Sequence, residues 1–228
     1  MIADEMDKTF CGKCEEKWRQ AEELCLVEYR GQPTVMLEDN DSTDGYVGAV
    51  LFSVYYIPSE SRSVQSRLIF SLKRLAQRRA CRFAAHVLAE MIKSEASFMC
   101  CGEETKKSAV ITWIPRSSTA ITEYGFDHME RVARQLSEEL GVEYLPLLGR
   151  TRFAFEQKSL SVDERYQNAE NTLYFNGKYH ISGKDIILID DIMTSGASVH
   201  RAAKLLLAAG ARQVVTAVIA RSEDAQDS

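Results

Sequence analysis

Asp185-Ile186-Ile187-Leu188-Ile189-Asp190-Asp191-Ile192-Met193-Thr194-Ser195-Gly196-Ala197-Ser198 decides the architecture. Four branched apolar residues in a row, 186 to 189, spell a short strand buried on both faces, as inside parallel sheets. Two acids follow at its C-terminal end, then a loop of small residues around Gly196. Ala202, Ala203, Leu205, Leu206 and Ala209 come next at helical spacing, with Gly210 where a helix stop belongs. Val214 to Ala220 is a second apolar strand, so the segment is a βαβ unit with a polar first turn.

A loop running from a strand into a helix N-terminus aims successive backbone N–H groups at one spot, where the helix dipole favours negative charge. Gly196 lets backbone approach a ligand closely, and Thr194, Ser195 and Ser198 add hydroxyls. Asp190 and Asp191 repel a bare phosphate but accept hydrogen bonds from vicinal hydroxyls. A phosphate cradle beside a diol clamp suggests a phosphorylated ribose. A magnesium phosphatase would place Asp-x-Asp-x-Thr after such a strand, which adjacent aspartates do not supply. Ser198 and His200 diverge on a helix, which excludes a serine hydrolase built on that pair.

Working outward, Ala109 to Ile114 is an apolar strand that runs into the loop Pro115-Arg116-Ser117-Ser118. A helix is predicted over 126–140, with Phe126, Met129, Val132, Ala133, Leu136 and Leu140 on one face and Gly141 as its stop. Tyr144 to Leu148 is predicted as one more strand. From 109 onward the order is β-loop-α-β-insert-β-α-β, a doubly wound α/β fold with a parallel sheet. Such sheets bind ligands beyond the strands' carboxyl ends, where 115–118 and 190–198 both belong.

Ser63 to about Glu95 carries the longest helical pattern, with an interruption expected near 79. Its first half holds Arg62, Arg67, Lys73, Arg74, Arg78, Arg79 and Arg82 with no acid among them. That face is either solvated or a surface for polyanions, whether nucleic acid or pyrophosphate. Upstream, Tyr46 to Ile57 reads as a strand, and Glu38 to Gly45 as a solvated acidic turn. With Gly45 in a calcium loop's glycine position, the twelfth place falls on Leu51 rather than glutamate, so the turn is no calcium site.

Residues 1–45 read as an N-terminal appendage and 46–228 as the main domain. Cys11-Gly12-Lys13-Cys14 has metal-knuckle spacing and Cys25 lies further on, followed by no second Cys-x-x-Cys. One knuckle supplies half the ligands of a closed zinc site, so less than one zinc per chain is expected. The plain alternative is a short acidic helix, Glu15 to Leu24, with incidental thiols.

The 228 residues, 45% hydrophobic and 27% charged with a net charge of −5, describe an ordinary globular α/β protein and exclude a generally basic nucleic-acid binder. The longest strongly apolar run, Tyr46 to Ile57, is too short to span a bilayer. The polar start and six cysteines without a secretion signal predict a cytoplasmic protein with reduced thiols.

The strand, Asp-Asp, Thr-Ser-Gly-Ala-Ser pattern of 186–198 resembles the phosphoribosyl pyrophosphate (PRPP) signature of type I phosphoribosyltransferases. Trp113 to Ser117 followed by Glu123-Tyr124-Gly125-Phe126-Asp127-His128 resembles the ComF branch, whose pattern there reads Arg-Gly-Phe-Asn, with Tyr124 replacing the arginine. Leu148, Arg150, Arg152, the 157–161 stretch, Arg165, Asn168 and Phe175 follow that branch's order, with a fainter echo at Ser71-Leu72-Lys73. Members usually begin with a four-cysteine zinc pair, of which only Cys11 and Cys14 remain.

The resemblance implies PRPP or ribose 5-phosphate as ligand, Mg²⁺ arriving with it, and a link to DNA uptake in competence beside a helicase-like DNA translocase. By the match, Arg116 and Ser117 lie in the pyrophosphate loop, Asp190 and Asp191 hold the ribose hydroxyls, and Met193, Thr194, Ser195, Gly196, Ala197 and Ser198 surround the 5′-phosphate. Lys73, Arg116, Arg150 and Arg152 are candidates to neutralise pyrophosphate. Purine-salvage relatives place an acid where Thr194 stands, so a purine-type base is missing. Three readings stay open: a transferase with an unidentified acceptor, a non-catalytic PRPP-sensing module, and a single-stranded DNA adaptor working through residues 62–82. Substitutions at Asp190, Asp191 and Gly196 are expected to move the ligand-free thermal midpoint little, since all lie at the polar mouth of the sheet.

Overall fold

The computed structural model describes residues 10–38, 46–57, 59–60, 62–94, 108–151 and 162–222. Its centre is strand β7 (Asp185–Met193), in which Ile186, Ile187, Leu188 and Ile189 are all buried. Around it stand β1 (Thr34–Glu38), β2 (Tyr46–Tyr56), β3 (Ala109–Trp113), β4 (Glu143–Tyr144) and β8 (Gln213–Ser222). The sheet order is β1-β2-β8-β7-β3-β4, parallel throughout except for the β1–β2 hairpin.

Side chains alternate along β7, so each face of the sheet receives its own core. Ile187 and Ile189 pack under helices α3 (Arg78–Ser94) and α5 (His128–Leu140), against Val87, Leu88, Val132 and Leu136. Ile186 and Leu188 pack under helix α7 (Ala197–Ala208), against Val199, Ala202, Ala203 and Leu206. This is the doubly wound α/β arrangement that the sequence predicts. From β3 the chain moves outward to β4, and from β7 outward to β8 on the other side. The order therefore reverses between β3 and β7, which opens a crevice beyond their carboxyl ends.

Several boundaries differ from the sequence expectation for local reasons. The long helical pattern breaks at residues 74–77, between α2 (Val64–Lys73) and α3, where Ala76 takes a positive φ of 46°. Helix α5 starts at His128 rather than 126 because Asp127 caps it, its carboxylate accepting the Met129 N–H at 3.0 Å. The expected strand 144–148 divides around Pro146, which has no N–H for a ladder. Its end becomes β5 (Leu148–Arg150), paired antiparallel with β6 (Leu173–Phe175) in a small separate ribbon.

The N-terminal segment is built into the domain. Helix α1 (Gly12–Tyr29) is longer than the expected 15–24, and Phe10, Cys14 and Trp18 join the α3 core beside Phe83. Trp18 donates its indole N–H to Ser53 Oγ at 3.2 Å. Strand β1, which the sequence reading missed, extends the main sheet. The acidic turn assigned to 38–45 lies outside the described residues beyond Glu38. Among the described residues, no helix is long and apolar enough to cross a membrane.

Candidate functional site

Strand β7 delivers its acids to the crevice, and the turn after it closes a cleft of about 40 Å³. Asp190, residues 192–199 and Arg165 line that cleft. Gly196 is the N-cap of α7 with φ 78°, a conformation that L side chains rarely adopt. An added Cβ there would sit 3.3 Å from Leu37 Cδ2 of β1, so the glycine answers both the turn and the packing above it. Met193 and Ala197 are buried in the α7-side core, which leaves their backbone for the cleft. Thr194 is exposed, and Ser195 and Ser198 are half-buried. From helix α6 (Val162–Thr172), the Tyr166 hydroxyl donates to the Ser195 carbonyl at 3.2 Å and holds the turn from outside.

The two acids do different jobs. Asp190 lines the cleft, and its Oδ1 accepts the Asp191 N–H at 2.9 Å. Asp191 is buried, and its Oδ2 receives Lys73 Nζ at 2.9 Å and His128 Nε2 at 2.5 Å. Burial alone would raise the Asp191 carboxyl, but Lys73 and His128 outweigh it and hold the group far below the ordinary carboxylate range. Burial, followed by the neighbouring Asp191 charge, pushes Asp190 up to about 8. For Lys73, burial works against the ammonium while the Asp191 carboxylate favours it, and the balance is raised. The sequence reading set both acids on one diol; the structure brings Asp190 to the cleft and engages Asp191 with Lys73 and His128. His128 entered that reading only as part of a motif, because nothing in sequence tells that residue 128 reaches residue 191. Its Nδ1 is buried without a partner.

Across the crevice, the Arg116 N–H and the Trp113 indole both donate to Asp127 Oδ2, at 3.0 and 3.2 Å. The Arg116 guanidinium donates to the Lys73 carbonyl at 3.0 Å and lies 4.5 Å from the Tyr124 ring centroid. The cation is thus aimed by α2 and by helix α4 (Ser118–Tyr124), whose aromatic residue stands where the family pattern has arginine. Ser117 caps α4, its Oγ accepting the Ala120 N–H at 3.3 Å, so its hydroxyl is already engaged. Arg150 is depressed by burial against the pull of Asp190 and Asp127, and its Nε is buried without a partner. Arg165, noted in sequence only for its order along the chain, lines the same cleft as Asp190 directly. Arg152 and the 157–161 stretch lie outside the described residues.

The basic run 62–82 is largely turned to protein partners. Besides Lys73, Arg74 pairs with Glu123 at 3.3 Å, Arg79 with Glu15 at 2.7 Å, and Arg82 donates to Gln135 at 3.3 Å. At the N-terminal knuckle, the Cys11 and Cys14 sulfurs stand 3.6 Å apart. Cys25 is buried on the same helix, and eleven residues at 1.5 Å rise put it about 16 Å away. Cys100 and Cys101 lie outside the described residues. Among the described residues, the trio that could hold a metal is His86, Glu90 and Glu139, far in sequence from the knuckle and shared with the Lys93 ammonium. The described residues therefore do not complete a closed zinc site around Cys11 and Cys14.

Residues 120–227 match the phosphoribosyl transferase domain. The chain is 36% identical over 129 residues to competence protein ComFC of Streptococcus pneumoniae, covering 55% of this chain and 54% of that one. It is 26% identical over 100 residues to competence protein F of Haemophilus influenzae, covering 43% and 44%. The aligned part spans about half the length of these curated relatives. Among solved structures, adenine phosphoribosyltransferase from Leishmania tarentolae overlaps 84% of this chain and 96% of its own at 12% identity, with a TM-score of 0.40. An overlap that loose carries no functional weight. Residues 120–227, which hold the Asp190–Ser198 turn at the switch point of the parallel sheet, thus match the phosphoribosyl transferase domain, and the chain is similar to competence proteins of the ComF kind.

Proposed function

We propose that the chain binds Mg²⁺·PRPP in the β3–β7 crevice and serves in competence, as its relatives' names suggest. The observation that carries this is the cleft formed by Asp190, the 192–199 backbone and Arg165 at the N-terminus of α7. There the N–H groups of the turn and the Arg165 guanidinium hold the 5′-phosphate. Asp190 accepts the ribose hydroxyls. It is half-buried and forms no ion pair among the described residues, and hydroxyl donors would stabilise its charge. Arg116, Arg150 and Lys73 neutralise the pyrophosphate, with Lys73 held ready by Asp191. Mg²⁺ would arrive with the ligand and would supply charge neutralisation, with Asp190 the carboxylate available to it at the cleft.

A phosphoribosyl transfer from this site would need an acceptor with its own nucleophile, such as ammonia or an amine, because Thr194 offers no base. Calorimetry with millimolar PRPP, with and without Mg²⁺, tests the binding. A saturable Mg²⁺-dependent heat that ribose 5-phosphate competes away is expected. No heat in wild type, or equal binding by Asp190→Asn, would sink the reading.

A further inference from the structure

The Cys11-Gly12-Lys13-Cys14 segment is not used by the crevice, and its geometry has a chemistry of its own. Cys11 is the N-cap of α1, an 18-residue helix, with an extended backbone and no side-chain cap bond. Its carbonyl accepts the Cys14 and Glu15 N–H groups at 2.9 and 3.1 Å, so the pair occupies the first helical turn. The two sulfurs are 3.6 Å apart, and a disulfide needs them at about 2.05 Å, within reach of side-chain rotation. Cys11 is exposed, whereas Cys14 is 5% exposed among Phe10 and Trp18. One thiol can thus be attacked from solvent while the other meets only its neighbour.

A cation completes the arrangement. The Arg79 guanidinium, fixed by Glu15 at 2.7 Å, comes 3.3 Å from the place where a Cβ on Gly12 would sit. Glycine between the cysteines is what leaves room for that charge. We propose that Cys11 and Cys14 are a reversible dithiol–disulfide couple, with Cys11 the attacking thiol and Cys14 the resolving one, reacting with small-molecule disulfides. In agreement, the Cys14 backbone N–H and then its thiol pull Cys11 below the ordinary thiol range, with Arg67 acting in the same direction.

The chemistry balances. The Cys11 thiolate attacks one sulfur of R–S–S–R, forming a mixed disulfide and expelling RS⁻, which takes a proton from water. Cys14 loses its proton to water and attacks the Cys11 sulfur, forming the Cys11–Cys14 bond and expelling the second RS⁻. Two protein thiols are oxidised by two electrons, and one small disulfide is reduced to two thiols. The PRPP reading is not required.

The test uses the full chain in glutathione buffers of varied thiol-to-disulfide ratio, acid-quenched and mapped by peptide mass spectrometry. The Cys11–Cys14 disulfide is expected to rise with oxidised glutathione and to reverse with dithiothreitol. Cys14→Ser should accumulate glutathione on Cys11. Cys11→Ser, at an exposed position whose side chain makes no cap bond, should form neither product. Alkylation at neutral pH should modify Cys11 about tenfold faster than in the denatured chain. Cys11 and Cys14 staying unlinked at every ratio would overturn the proposal. So would one zinc per chain that shields both thiols until it is chelated.

Discussion

His128 and Asp191, 63 residues apart in the chain, meet through a buried hydrogen bond of 2.5 Å between Nε2 and Oδ2. The same oxygen takes Lys73 from a third element, so α5, α2 and β7 are joined at one carboxylate. This junction separates two acids that look interchangeable in sequence.

Their substitutions should therefore differ. Asp191→Asn leaves Lys73 and His128 facing a neutral amide and should cost about 2–3 kcal/mol, read as a lower urea midpoint. Asp190→Asn removes a carboxyl that burial already disfavours as a charge, and should move the midpoint by less than about 1 kcal/mol. It should weaken PRPP binding by about 10- to 100-fold. The expectation that both changes spare the ligand-free midpoint thus gives way at Asp191, because that side chain is buried and doubly bonded. Equal midpoints for the two variants would contradict the division of roles.

The pH dependence follows from Asp190. Its carboxyl, ordinarily at 3.8, is pushed up to about 8 in the folded chain. Between those values the unfolded state has lost the proton and the folded state keeps it, so this group's contribution to stability falls as pH rises through the window. Asp191 acts in the opposite sense. Its stabilisation is present above its ordinary value and is lost as pH falls through its lowered one. A ligand that needs ionised Asp190 must expel the proton. Affinity of wild type relative to Asp190→Asn should climb by up to about tenfold per pH unit and flatten above about 8. Calorimetry in buffers of different ionisation enthalpy should register the released proton below that pH, and a flat ratio would exclude the mechanism.

Gly196→Ala forces an L residue to φ 78° and presses a methyl toward Leu37. The backbone term alone costs about 1–2 kcal/mol. The thermal midpoint should drop by roughly 2–8 °C without ligand. The double variant with Leu37→Ala should not recover it, since the strain is in the backbone; full recovery would assign the cost to the contact instead. This expected drop replaces the sequence expectation of an unchanged midpoint at this position, because the φ of 78° could not be read from the sequence.

Arg165→Ala should weaken ribose 5-phosphate by about tenfold or more through loss of one charge-assisted bond, while leaving free pyrophosphate unaffected. Lys73→Met should show the reverse selectivity. Competition calorimetry with the two half-ligands distinguishes them, and a uniform loss for both variants would mean that neither residue is assigned to its group.

Single-stranded DNA should bind with a shallow salt dependence. Lys73, Arg74, Arg79 and Arg82 already have protein partners, so few of the seven cations remain to displace counterions. A log–log slope steeper than about −3 would mean that these pairs open on binding and would restore the basic helix as the interface.

The sequence alone determined the centre of the fold. An unbroken branched apolar run, a glycine-centred turn and a helix-spaced apolar face are local patterns, and local patterns fix β7, the turn and α7 because each obeys its own periodicity. The cleft-lining turn was legible for the same reason, since residues 194–198 are consecutive in the chain. Boundaries failed where one residue overruled the pattern: Pro146 cut a strand, and the positive φ at Ala76 parted two helices. Strand β1 was invisible because five residues at a sheet edge carry too few alternations to stand out.

What only tertiary structure decided is which side chains share a charge. Asp190 and Asp191 are neighbours in sequence, yet one lines the cleft under the 192–199 turn and the other closes on Lys73 and His128. The partners of Asp191 come from residues 63 and more positions away, and nothing local encodes such a meeting. Burial then does the rest. In a low-dielectric crevice, the paired carboxylate keeps its charge while the unpaired one beside it is pushed toward its neutral form, so folding makes two like residues chemically unlike.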